Sequence, residues 1–285
     1  MTNSPLLRVE DLRVDYHTPT GLVQAVRGVS FELGREKLGI VGESGSGKSQ
    51  TGRAILGLTA PGGEVRARRL EFRGQDLLVA DAKTLRDVRG GGISMIMQDP
   101  KYSLNPVMTV GRQIEEAFLV HSGDNRRKAR ERTLDMLRAV QIRDPERVYR
   151  AYPHEVSGGM GQRIMIAMMM IPEPDIIIAD EPTSALDVTV QLQVLAVLDD
   201  MIQKRGMGLV FISHDLNLVA SFCDRILIMF GGQVMEECRA SELAQAKHPY
   251  TRGLLDCLPR LDGEHQALPV LKRDPAWLEP RQKPL

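Results

Sequence analysis

The eight residues Gly42-Glu43-Ser44-Gly45-Ser46-Gly47-Lys48-Ser49 constrain this chain more than any other stretch, because they fit G-x-x-x-x-G-K-[ST] in full. They follow the apolar run Leu38-Gly39-Ile40-Val41, which reads as a buried strand, and lead into Thr51 to Leu58, which reads as a helix. Strand, glycine-rich turn and helix are the context in which such a loop wraps phosphate. Glycines let the backbone bend until several N–H groups converge on phosphate oxygens, and the helix start adds the positive end of its dipole. In that reading Lys48 reaches the β- and γ-phosphates of a nucleotide and the Ser49 hydroxyl meets Mg²⁺. The bland alternative is a Gly/Ser-rich surface loop holding a chance lysine, and the agreeing flanks weigh against it.

Composition narrows the partners. Lys plus Arg equals Asp plus Glu at 37 each, and the pI is near 7.0, so nothing advertises nucleic acid or an anionic membrane surface. Hydrophobic residues at 42% over 285 positions suffice for a sizeable core. Cys223, Cys238 and Cys257 are too few and too unpatterned for a disulfide framework or a zinc site. Met1 to Leu7 lacks a basic region followed by an apolar core, and no run nears the roughly 18 apolar residues of a spanning helix. The chain reads as cytosolic, with any membrane role running through partner subunits.

Leu7, Val9, Leu12, Val14 and Tyr16 are spaced as a half-buried strand, and Val23 to Phe31 follow a turn at Thr18-Pro19-Thr20-Gly21, which predicts an antiparallel hairpin. Leu70-Glu71-Phe72 predicts a short strand, and Ile93 to Met97 a core strand ending at Gln98. From Val110 to Tyr152 the period becomes helical, predicting an all-helical subdomain, at about 99–170, inserted into an α/β core. Its charged face, beginning near Asp124, reads as solvated because acids interrupt the arginines. Gly158 to Ile171 reads as a helix, then come a strand at Ile176 to Ala179, a helix stripe ending at Gly206, a strand at Leu209 to Ile212, a helix at Leu216 to Phe222, and a hairpin from Ile226 through Gly231-Gly232. After His248-Pro249-Tyr250 the pattern decays, and residues 259–285 read as a Pro-rich, extended or poorly ordered tail beyond a domain of residues 1–258.

The apolar run before Asp180-Glu181 places two carboxylates at the end of a parallel strand, where α/β sheets open onto ligands. Asp180 suits a Mg²⁺ shell, and Glu181 suits a water that must be oriented and deprotonated. Val156-Ser157-Gly158-Gly159-Met160 starts another helix, whose free N–H groups favour an anion.

With Pro182-Thr183-Ser184-Ala185-Leu186-Asp187 and Ser213-His214-Asp215 added, the order of motifs resembles the nucleotide-binding subunits of ATP-binding cassette (ABC) transporters. Met95-Ile96-Met97-Gln98-Asp99-Pro100, Ser103-Leu104-Asn105-Pro106, Tyr152-Pro153-His154-Glu155 and His248-Pro249-Tyr250-Thr251 are similar to the oligopeptide, dipeptide and nickel importer branch. The likeness covers roughly residues 6–258. It implies an α/β P-loop ATPase core with an antiparallel β subdomain and the helical insert. It further implies that Tyr16 stacks on adenine, that residues 42–49 and Gln50 bind ATP, and that Gln98 contacts Mg²⁺ and water alongside Ser49 and Asp180. Ser157, Gly158, Gly159 and Met160 would meet the ATP of a partner subunit, Asp187 would communicate across that pair, and His214 would contact the γ-phosphate. Met160 stands where a glutamine is commonest, and Glu237-Cys238 where an acid precedes glycine.

The implied function is ATP hydrolysis driving import of a peptide or related solute. Its implied partners are a second ATPase subunit, a paralogue by preference, in a head-to-tail dimer, two transmembrane permease subunits, and indirectly an extracytoplasmic solute-binding protein. Its implied place is the cytoplasmic face of the inner membrane. A soluble ABC ATPase acting on nucleic acid or ribosomes is the rival; such chains carry a second cassette, a coiled-coil insert or a basic arm. A cassette that binds without turnover is opposed by Glu181, Gln98 and His214. An iron–sulfur cluster in the C-terminal region, as in several apparent relatives, is opposed by the cysteine count, since four thiolates are the usual ligand set.

Overall fold

The computed structural model describes residues 4–258, 271 and 273–279, with the side chains of Lys101 and Tyr102 outside that description. The chain divides into two compact units, one of Met1–Leu78 with Phe211–Leu285 and one of Val79–Val210.

The first unit opens with β1 (Leu7–Thr18) and β2 (Gly21–Leu33), paired antiparallel from Leu7 opposite Leu33 to Thr18 opposite Gly21. The inward set of β1 changes phase, Leu7 and Val9 and then Leu12 and Val14, all at most 1% exposed. A bulge between Val9 and Leu12, with Asp11 at φ 52°, absorbs the extra residue so that both halves face the core. Next come β3 (Lys37–Gly42), α1 (Lys48–Ile55), β4 (Gly63–Arg66), β5 (Arg69–Phe72) and β6 (Gln75–Asp76). Strands β4 and β5 both pair with β1, and β5 carries β6, which completes the antiparallel subdomain.

The second unit contains α2 (Ala82–Val88), β7 (Ile93–Ile96), α3 (Pro100–Ser103), α4 (Val110–Ser122), α5 (Arg126–Ala139), α6 (Pro145–Arg150), α7 (Gly158–Met170), β8 (Ile176–Asp180) and α8 (Val188–Arg205). Strands β7 and β8 run parallel, Ile93 opposite Ile176. Every residue of β8 is buried, as a parallel strand covered on both faces must be. Helices α4 to α7 bury Ile114, Phe118, Leu137, Val148 and Met165. Gly111 lets α4 approach α6, since a Cβ there would lie 2.2 Å from the Tyr149 ring. The charged face of α5 is exposed and laced with pairs such as Lys128–Asp124 at 2.9 Å and Arg138–Glu146 at 2.7 Å, as a solvated face should be.

The chain returns through β9 (Gly208–Ser213) to α9 (Leu216–Phe222), β10 (Arg225–Phe230), β11 (Gln233–Arg239) and α10 (Pro249–Asp256), all but the start of β9 in the first unit. There β10 pairs parallel with β3 and antiparallel with β11.

Three expectations need correcting. Helix α1 begins at Lys48 and stops at Ile55, because left-handed Gly47 is its N-cap and left-handed Gly57 ends its last turn. The pattern does not simply decay after Tyr250: Pro249 sits at the first turn of α10, where its missing N–H costs nothing, and the Tyr250 N–H bonds His248 Nδ1 at 3.1 Å. Most of the Pro-rich tail lies outside the described residues. Its described part is a 3₁₀ turn at Pro275–Leu278, capped by Asp274 and packed through Trp277 against Phe230 and Tyr250.

Candidate functional site

In the first unit, residues 42–49 fold as the motif requires. Gly45 and Gly47 take φ values of 78° and 96°, a region open chiefly to glycine. A Cβ on Gly42 would meet the Met229 carbonyl oxygen at 2.1 Å and one on Gly47 the Ala25 carbonyl oxygen at 2.4 Å, whereas at Gly45 the space is open. Gly42 and Gly47 therefore let the loop press against its scaffold, and Gly45 leaves room on its outer side. Lys48 is buried, its Nζ donating to the carbonyl oxygens of Gly42 and Glu43 at 2.8 Å each and lying 3.4 Å from Ser46 Oγ. The ammonium is thus held at the loop's centre, where a phosphate oxygen gains most from it. Gly232 N–H donates to the Ser46 carbonyl oxygen at 3.1 Å, so the turn between β10 and β11 backs the loop. The glycine cradle and central lysine fit a nucleotide triphosphate, and the hydroxyl of Ser49 is the hard oxygen donor Mg²⁺ prefers.

Tyr16 is half-buried near the end of β1, and its hydroxyl donates to Gln50 Oε1 of α1 at 2.8 Å. That bond ties the ring to the phosphate-loop helix, and one ring edge lies 2.8 Å from where a Cβ on Gly63 of β4 would stand. His214 follows β9 and is exposed, ahead of Asp215, which caps α9.

In the second unit, Asp180 ends β8 buried and Glu181 takes φ 46°. A non-glycine residue there is uncommon, and the conformation persists where surroundings enforce it. Here the Glu181 carbonyl accepts from the N–H and hydroxyl of Ser184 at 3.3 and 3.2 Å, closing a turn directly after the strand. Gln98 Nε2 donates to Glu181 Oε2 at 3.3 Å, so the residue ending the Ile93-to-Met97 run does meet the second acid.

Ser157 caps α7, its Oγ 3.4 Å from Met160 N–H, and Ser157 and Gly158 are exposed. Gly159 sits against α8, with Val190 Cγ1 2.5 Å from where its Cβ would be. Asp187 is exposed and caps α8 by accepting from Val190 N–H at 3.0 Å. A cavity of about 530 Å³ lies beside this helix start, lined by Asp99, Pro100, Leu104, His154, Ser157 and Leu186 among others. The segment after Gln98 exposes part of its apolar surface and buries the rest. Val107 is 79% exposed, but Leu104 is buried at 4% and lines this cavity. Sequence reasoning missed the contact of Arg273 with Glu43, since Arg273 lies outside every motif and 230 positions from its partner.

A phosphate-wrapping loop and a parallel strand that ends in two acids are each features of P-loop nucleotide hydrolases. The profile of the ABC transporter family matches residues 26–184. The dipeptide transport ATP-binding protein DppD of Bacillus subtilis is 48% identical over 260 residues, covering 90% of this chain and 78% of that protein. The oligopeptide transport ATP-binding protein OppD of Salmonella typhimurium is 44% identical over 272 residues, covering 95% and 81%. Among solved structures, the ATP-binding cassette MJ0796, dimeric in a post-hydrolysis state with ADP and Pi, matches with a TM-score of 0.71 at 26% identity, over 82% of this chain and 98% of that one. The chain belongs to the ABC transporter family, as an ATP-binding subunit that hydrolyses ATP. Among the described residues no helix is long and apolar enough to cross a membrane.

Proposed function

We propose that this chain is the ATPase subunit of a peptide importer, working on the cytoplasmic face of the inner membrane. The observation that carries hydrolysis is the Gln98–Glu181 contact at the end of β8, which couples the helical segment to the acid best suited to activate water. The names of the dipeptide and oligopeptide relatives support the solute class. Gly42 to Ser49 with Gln50 hold the triphosphate, and Tyr16 stacks on adenine, oriented by its bond to Gln50. Ser49, Asp180 and Gln98 supply the oxygen ligands for Mg²⁺, which when bound neutralises charge building on the phosphates. Glu181 orients and deprotonates the attacking water, and His214 donates to the γ-phosphate. The low barrier comes from positioning and charge neutralisation more than from covalent chemistry.

The second ATP surface is the exposed start of α7. Ser157, Gly158, Gly159 and Met160 present their N–H groups to the γ-phosphate held by a partner ATPase in a head-to-tail pair, a paralogue by preference, and Asp187 lies at that contact. A dimeric relative of known structure supports pairing. The cavity beside Leu104 and exposed Val107 offer the apolar surface for one of two transmembrane permease subunits, with a solute-binding protein outside. Reconstituting the chain in vesicles with membrane subunits encoded beside it tests the proposal. Peptide-loaded binding protein should stimulate ATP hydrolysis and peptide uptake; stimulation by nickel complexes alone would overturn the peptide assignment.

A further inference from the structure

Glu43 is the one carboxylate in the loop Gly42 to Ser49, and it is unfavourable beside a polyanion unless something neutralises it. Within the same unit the C-terminal segment supplies a cation. Arg273 Nη2 and Nε both donate to Glu43 Oε2, at 2.9 and 3.2 Å. The pair raises the Arg273 guanidinium above its ordinary value, chiefly through that hydrogen bond. Glu43 also lies beside Tyr250, whose phenol is pushed up to about 12 by burial and then by the Glu43 charge.

The segment carrying Arg273 is anchored independently of the ion pair. Trp277 packs edge-on against Phe230 and Tyr250, with ring centres 6.1 and 5.7 Å apart. Arg27 Nη2 donates to the Leu278 carbonyl oxygen at 2.6 Å, and Gln233 Nε2 to that of Glu279 at 3.1 Å. The same turn reaches the loop from behind. Leu278 Cδ2 lies 2.5 Å from where a Gly231 Cβ would stand, and the adjoining Gly232 is the donor to Ser46. Residues 273–279 thus meet the loop directly through Arg273 and brace the Gly231-Gly232 turn that backs it.

We propose that Arg273 is a positioning residue for ATP binding, acting through Glu43. It neutralises the loop's own carboxylate and steadies the Glu43 carbonyl that Lys48 uses, so its effect falls on nucleotide affinity and not on the chemical step. The inference rests on residues 42–49 being the phosphate loop.

The test is equilibrium binding of a fluorescent ATP analogue, with Mg²⁺, to the full chain carrying Arg273→Gln, Arg273→Lys, Glu43→Gln or the first and third together. Arg273 is 60% exposed at its side chain, so the effect is that of an exposed pair, about threefold weaker binding for Arg273→Gln. Arg273→Lys should recover most of the loss, and Arg273→Gln should cost nothing further in a Glu43→Gln background. In the assembled ATPase KM should rise by the same factor with kcat unchanged. Unaltered binding by Arg273→Gln, or an equal loss with Glu43→Gln already in place, would overturn the proposal. Melting of the nucleotide-free variants separates a damaged fold from a weakened site. Lys48→Ala is measured alongside: full binding by that variant would fault the loop assignment instead.

Discussion

At the scale of single residues, Glu181 and Lys48 should separate chemistry from binding. Glu181 has a left-handed backbone and its carboxylate accepts from Gln98, and its proposed role is to take a proton from water. Glu181→Gln keeps the shape and the Gln98 contact but loses the base, so turnover should fall at least about a hundredfold with ATP affinity retained. Lys48→Ala removes the cation from the loop's centre and should weaken binding itself; rate and affinity measured on both variants decide the matter. Cys223 gives a prediction of another kind. Burial pushes its thiol up to about 12 from an ordinary 9.0, so the folded chain holds the neutral form. Native protein should therefore alkylate slowly at Cys223 at pH 8 and quickly once unfolded, as peptide mass spectrometry would show. Because the folded value lies above the unfolded one, the stability this group contributes is complete below pH 9 and fades as pH rises from about 9 to about 12. Rapid native labelling at pH 8 would contradict the burial.

At the scale of elements, the two helices proposed to face a partner, α7 and α8, begin on capping side chains that also stand in the proposed contact. Asp187 caps α8 while Val188 and Leu192, on the same helix, are 72% and 60% exposed. Such exposed apolar residues on a well-packed helix suit a surface covered in assembly. Capping and communication can be separated, because asparagine caps about as well as aspartate. Asp187→Ala should cost about 1 kcal/mol in urea unfolding and Asp187→Asn close to nothing. If the charge serves the dimer, both lower transport-coupled ATPase activity; if Asp187→Asn has full activity, the residue is only a cap.

At the scale of the whole molecule, the proposal has a second chain complete the ATP site and a membrane subunit receive the motion. A single cysteine at Val107, combined with Cys223→Ala, Cys238→Ala and Cys257→Ala, should crosslink to a transmembrane subunit in the assembled complex. Crosslinks confined to this chain would instead make the segment after Gln98 ordinary internal packing. Charge balance speaks to the same scale: with equal numbers of acidic and basic residues, ATPase activity should be indifferent to added RNA or DNA, and marked stimulation would revive the nucleic-acid reading.

What the sequence determined by itself was whatever depends on neighbours along the chain. The phosphate loop could be read because its glycines and lysine act within eight residues, and β8 because a strand buried on both faces must be continuously apolar before its terminal acids. Even the bulge in β1 is written as the slip in alternation between Val9 and Leu12. The tertiary structure decided what depends on distant residues. Pro249 and the His248 cap are the local marks of α10, and its stability comes from Tyr250 and Thr251 being buried in the first unit. Nothing in the spacing of Arg273 and Glu43, 230 positions apart, says that they pair. That contact exists because Trp277, Leu278 and Glu279 find partners on β10, β11 and α10 and on Arg27 of β2. A contact between residues so far apart carries no periodicity, only the free energy of the surfaces that bring them together.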